Sequence, residues 1–137
     1  MIKTVEYVDD YVRMIDQTRL PLEKVFVYCK TIDDVANAIK TMVVRGAPAI
    51  GVSAAMGVSL GAESIQAKSF DAFYAELEEK CLVLAESRPT AVNLTWGIER
   101  MKRVTRESKY LSIIQLKQRL KKEALNICEE DIAANKS

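Results

Sequence analysis

Apolar and polar positions follow one rhythm up to about residue 30 and another from Thr31 onward. Ile2-Lys3-Thr4-Val5-Glu6-Tyr7-Val8 and Tyr11-Val12-Arg13-Met14-Ile15 read as two short strands, with Asp9-Asp10 as a tight turn between them. Residues 16–23 form a loop, and Val25-Phe26-Val27-Tyr28-Cys29 is a third segment rich in β-formers. The connections are too short for parallel crossovers, so a small antiparallel sheet is expected.

Helical spacing then takes over. Thr31-Ile32-Asp33-Asp34 is a variant capping box, and Val35, Ala38, Ile39, Met42 and Val43 share one face of a helix ending near Val44. A second helix, about Pro48 to Ile65, carries Gly51, Gly57 and Gly61 and has no charge between Gly46 and Ala62. Each glycine lowers helix propensity by ~1 kcal/mol relative to alanine, so three of them call for a packing reason. Close approach of neighbouring backbones supplies one, with this helix buried on every side as the core. Ser69 caps a third helix whose stripe is Phe70, Phe73, Leu77, Cys81 and Leu84, with Glu76, Glu78, Glu79 and Lys80 on the wet face; it stops before Arg88-Pro89. A fourth helix starts with Thr90 as its cap and turns Leu94, Ile98 and Met101 inward. Ser112-Ile113-Ile114-Gln115 is a capping box for a last helix lined by Ile113, Leu116, Leu120, Ala124 and Ile127. The fold class is therefore α+β, mostly α. A three-stranded antiparallel sheet in residues 1–30 precedes a bundle of about five helices in 31–137, as a single domain.

Composition narrows the function. Hydrophobic residues make up 49% and charged residues 28% of 137, which suits a globular domain with a real core. The 20 basic and 19 acidic residues nearly cancel, so no global field calls for a nucleic acid or an anionic membrane as partner. There is no histidine, and Cys29, Cys81 and Cys128 lack metal-ligand spacing. That removes the commonest zinc sites and any Ser-His or Cys-His pair. Each cysteine falls on an apolar position, as a reduced structural thiol does. With no apolar span of membrane length and no signal peptide, the expected location is cytoplasmic.

The strongest chemical signal is Arg45-Gly46-Ala47-Pro48-Ala49-Ile50-Gly51. Gly46 permits a sharp turn, and Pro48 has its φ pre-set for a first helical turn. Free N–H groups around Gly46, Ala47 and Ala49, with the positive end of the helix dipole, form a seat for an anion. Arg45 beside it offers the charged fork that suits phosphate. A Gly-x-Pro turn into a buried helix is also ordinary architecture, and an arginine before it can simply be solvated. Arg88 is a second arginine at a second helix start. The pair can converge on one phosphate or lie apart in solvent. Arg100, Lys102, Arg103, Arg106 and Lys109 form a basic run read as a solvated helix face, with nucleic-acid binding the minor alternative.

Val44-Arg45-Gly46-Ala47-Pro48-Ala49-Ile50-Gly51 and Arg88-Pro89-Thr90-Ala91-Val92-Asn93-Leu94, with Asp16-Gln17-Thr18 upstream, resemble the amino-terminal part of the methylthioribose-1-phosphate isomerases. Those enzymes share a superfamily with the regulatory subunits of the exchange factor for eukaryotic translation initiation factor two. The resemblance covers essentially the whole chain. It implies an aldose–ketose isomerisation in methionine salvage, methylthioribose 1-phosphate to methylthioribulose 1-phosphate, without a cofactor. It also implies a homodimer, and an active site shared with a larger Rossmann-like carboxyl-terminal domain. By position, Arg45, Gly46, Ala47 and Arg88 would bind the substrate, chiefly its phosphate. Asn93 is a weaker candidate, since a structural hydrogen bond at a helix end serves equally.

The resemblance also implies what is missing. The family's catalytic cysteine and aspartate belong to the carboxyl-terminal domain, and no cysteine here sits in the matching motif. No catalytic residue is assigned, and the chain reads as the first domain of an isomerase, inactive alone. Isomerisation of another phosphorylated pentose, such as ribose 1,5-bisphosphate, stays open. So does a non-catalytic regulatory subunit like the initiation-factor relatives.

Overall fold

In a computed structural model, the structure describes residues 5–8, 10–16, 22, 25–41, 43 and 47–134. Among these residues three strands, β1 (Val5–Val8), β2 (Tyr11–Ile15) and β3 (Phe26–Cys29), precede five helices. These are α1 (Ile32–Lys40), α2 (Ala47–Glu63), α3 (Phe70–Glu86), α4 (Val92–Glu107) and α5 (Ile113–Ala134). The sheet is antiparallel in the order β1-β2-β3, with Val8 opposite Tyr11 and Val12 opposite Cys29. The mostly helical α+β class read from the sequence is the one observed. Residues 2–4 of the expected first strand, Asp9 of its turn, and Met42 and Val44 of the first helix lie outside the described residues.

Local chemistry sets most of the helix ends. The Thr31 hydroxyl accepts from the Asp34 N–H at 3.1 Å while the Asp34 carboxylate accepts from the Thr31 N–H at 3.3 Å, which completes the capping box of α1. The reciprocal pair Ser112–Gln115 starts α5, and the Ser69 hydroxyl accepts from the Ala72 N–H to start α3. Two ends differ from expectation. α1 stops at Lys40 rather than near Val44; past its end the Val43 N–H reaches back five residues to the Ala38 carbonyl at 2.9 Å, a helix-terminating bond in place of the i to i−4 one. α4 is capped at Ala91 rather than Thr90, and without a side-chain hydrogen bond. The Ala91 N–H donates to the Arg88 carbonyl at 3.0 Å, so a tight turn through Pro89 and Thr90 comes first and moves the helix start to Val92.

α2 is the axis of the molecule. Every residue from Ile50 to Ala62 is buried, and the helix packs most extensively on α4 and α5, then on α1 and α3. Its outer layer is the sheet, tied in by a 3.2 Å hydrogen bond between the Tyr7 and Ser59 hydroxyls. The three glycines of α2 pack in two different ways. A methyl on Gly57 would lie 3.0 Å from Val35 Cγ1 and 3.3 Å from Leu84, and one on Gly61 would lie 3.2 Å from Ile32 Cδ1. At those positions side chains of α1 and α3 fill the groove. Backbone-on-backbone approach, expected for all three, occurs only at Gly51.

Candidate functional site

The beginnings of α2 and α4 cross in direct contact. A methyl on Gly97 would come within 2.7 Å of the Gly51 carbonyl oxygen and 3.1 Å of Ala54 Cβ. One on Gly51 would lie 3.5 Å from the Asn93 carbonyl oxygen and 3.6 Å from the Trp96 ring. Gly97 therefore lets two helix backbones touch, with no room for any side chain on its own. Gly51 closes the first sequence motif and Asn93 belongs to the second. The two motif-bearing helix starts, about forty residues apart in the chain, are neighbours in space.

Around that crossing the predicted site residues are placed as follows. Arg45 and Gly46 lie outside the described residues, and Ala47 opens α2. Arg88 sits half-buried in the connection from α3 to α4, at the tight turn that leads into α4. Among the described residues none hydrogen-bonds or pairs with its guanidinium, which leaves those donors uncommitted. Asn93 is half-buried in the first turn of α4. Next to Arg88, Pro89, Ala91, Val92 and Trp96 line a shallow depression of about 340 Å³. Trp96 is also shared with a second hollow of about 370 Å³ that holds Glu99, Arg100, Arg103 and Arg106.

The basic run on α4 is only partly a solvated face. Arg100 donates from Nε to Glu123 Oε2 at 2.8 Å and through both Nη atoms to Glu130, and its guanidinium lies 5.5 Å from the Trp96 ring centroid. Glu123 is buried on α5, and its second oxygen accepts from Arg119 Nη1 at 2.9 Å. Burial opposes ionisation of Glu123, but the hydrogen bonds and charges of Arg100 and Arg119 outweigh it and hold the carboxyl below its ordinary range. Lys102 pairs with Glu78 and Glu99. Arg103 and Lys109 remain exposed, as expected. Sequence reasoning had missed Glu123 and Gly97. Glu123 was detectable as a lone charge wedged between Leu120, Ala124 and Ile127 on an apolar stripe, where an unpaired carboxylate would be costly. Gly97 carries no such signal, since its partner is forty-six residues away.

Neither Cys29 nor Cys81 offers a nucleophile. Cys29, Cys81 and Cys128 are all buried, and burial pushes the Cys29 and Cys81 thiols up to about 12, so both are protonated at neutral pH. Among the described residues no three His, Cys, Asp or Glu side chains group as a metal site, and no helix is long and apolar enough to cross a membrane.

Residues 43–137 match the Initiation factor 2 subunit family. The methylthioribose-1-phosphate isomerase of Citrifermentans bemidjiense is 55% identical over 131 residues, covering 96% of this chain and 38% of that protein. That of Geobacter sulfurreducens is 54% identical over 132 residues, again 38% of its length. Among solved structures, the 5-methylthioribose 1-phosphate isomerase of Pyrococcus horikoshii OT3 superposes with a TM-score of 0.89 at 39% identity, over 95% of this chain and 36% of that one. Subunit delta of translation initiation factor eIF-2B from A. fulgidus gives 0.87 at 33% identity, over 96% and 38%. The chain thus spans a little over a third of the length of these relatives.

Proposed function

The chain belongs to the initiation factor 2 subunit family, and from that membership we propose that it forms the phosphate-binding part of a methylthioribose-1-phosphate isomerase. One observation carries the reading: the contact of Gly51 with Asn93 and Trp96 sets the two motif-bearing helix starts side by side. Arg45, Gly46 and Ala47 at one start and Arg88 at the other bind the 1-phosphate from two directions. Helix amides and two guanidinium forks then share the anion's charge. In the isomerisation, hydrogen moves between C1 and C2 of the pentose. That transfer needs an acid–base group at the reacting carbons and a site closed to water. This chain supplies binding and orientation; the acid–base groups come from the remaining length found in the relatives. The protein acts in the cytoplasm, as a homodimer when the whole polypeptide is present.

The test is an isomerase assay on methylthioribose 1-phosphate with the 137-residue chain and with a polypeptide of the relatives' length that contains it. The longer protein turns the substrate over and the 137 residues alone do not. Turnover by the short chain, or none by the long one, contradicts the proposal. Ribose 1,5-bisphosphate in the same assay separates the neighbouring isomerase reaction. The likeness to the A. fulgidus subunit favours a second reading, a non-catalytic regulatory subunit. Sugar-phosphate binding by the longer polypeptide without turnover of either pentose establishes it.

A further inference from the structure

Trp96, the only tryptophan of the chain, stands where the two helix starts meet. On one side its ring carbons lie 3.6 and 3.7 Å from the place a Gly51 Cβ would take. On the other, the Arg100 guanidinium is 5.5 Å from the ring centroid, within cation–π reach. Arg100 is itself held. Its three nitrogens each donate to a carboxylate of α5, Nε to Glu123 at 2.8 Å and the two Nη atoms to Glu130. Glu123 is fixed in turn by Arg119 at 2.9 Å, so neither of its oxygens is idle. A connected relay runs from α5 through Arg100 to the indole, and from the indole to the first turns of α2.

Arg100 is poorly placed to be an anion ligand, because each of its three nitrogens already donates to a carboxylate whose charge would repel an anion. A mostly buried ion pair is also weak evidence for net stability, since desolvation offsets much of the attraction; fixing geometry is a better-attested role. We propose that Glu123 and Arg100 are positioning residues, which hold the Trp96 indole beside Gly51, where its ring walls the crossing of α2 and α4, and so set the start of α2 in the orientation that receives phosphate. The inference rests on the phosphate-binding reading above and adds residues outside both motifs to it.

The test uses the 137-residue chain with inorganic phosphate as probe, read by equilibrium dialysis and by the emission of Trp96, which reports this locus alone. Arg100→Met and Glu123→Gln weaken the apparent Kd for phosphate by about tenfold, the lower end of the loss seen when the outer-shell partner of a ligating group is removed. Arg100→Lys, which keeps the charge near the ring and loses the fork, falls between these and the wild type. Lys102→Met breaks the pairs with Glu78 of α3 and Glu99 of α4 and leaves the Kd unchanged, whereas a general dependence on α4 charge would weaken it as well. Should Arg100→Met fail to fold, Glu123→Gln and Arg100→Lys decide the matter, because each retains hydrogen bonding. Wild-type phosphate affinity in folded Glu123→Gln and Arg100→Lys overturns the positioning role alone. A wild-type chain that binds no phosphate overturns the site itself.

Discussion

The two sides of α4 hold the molecule together by different physics. Its inner side presents Leu94, Gly97, Ile98 and Met101, all buried, and meets α2 so closely that backbone touches backbone. Its outer side presents Trp96, Glu99, Arg100 and Arg103; Arg100 joins it to α5 by charge-assisted hydrogen bonds, and Trp96 is 49% exposed. At Gly97 the inner contact tolerates almost no change in volume, because backbone faces backbone there. The outer contact tolerates changes in shape and depends on the pairing of charges instead. The proposed phosphate site lies where the two sides share an end, at the starts of α2 and α4.

The largest expected effect is at the inner contact. Gly97→Val forces a branched side chain into a space where even a methyl meets the Gly51 carbonyl oxygen at 2.7 Å. It should cost about 3 kcal/mol, read as a lower urea midpoint at unchanged slope. A near-neutral result would show that the helices are free to separate. Next comes the outer contact. Glu123→Ala strands Arg100 and Arg119 without a shared carboxylate, and should cost about 2 kcal/mol.

The same pair has a pH signature. The carboxyl of Glu123 is held below its ordinary range when folded. Its stabilisation is therefore complete above the unfolded pKa of roughly 4.3 and is lost as pH falls through the lower folded value. The difference in melting temperature between wild type and Glu123→Gln should be constant from neutral pH down to about 5 and shrink below about 4. A gap that instead closes on the alkaline side would contradict the assignment. Gly51→Ala sharpens the contrast at the inner contact. Its methyl would find Asn93 O at 3.5 Å and the Trp96 ring at 3.6 Å, ordinary contact distances, so the change in stability should stay within about 1 kcal/mol. Smallest of all is Lys102→Met, whose partners Glu78 and Glu99 are half exposed; double-mutant cycles should give it less than about 0.5 kcal/mol.

Much of this architecture was legible because its causes are local. The capping pairs Thr31–Asp34, Ser69 and Ser112–Gln115 and the apolar stripes of α3 and α5 are written within a few residues of where they act. The uncharged run through α2 announced a helix buried on all sides, and it is. Thr90 misled because a proline turn displaced the helix start past it, a competition that propensity alone does not weigh. Arg100 misled in the opposite way. Spacing placed it in a basic run, while its partners Glu123 and Glu130 stand on another helix and appear only after folding. For the candidate site, the sequence pointed to two helix starts and the fold brought them together. The adjacency itself depends on Gly97, which no short motif marks.

The most direct measurement is a double-mutant cycle on Arg45 and Arg88, reading the affinity of methylthioribose 1-phosphate for the polypeptide of the relatives' length. If both guanidinium groups hold one phosphate, Arg45→Met and Arg88→Met are coupled by at least about 1 kcal/mol, and the double variant is weakened by less than the sum of the two. Strictly additive losses, or no loss from Arg88→Met, would mean that the two helix starts do not serve a common anion.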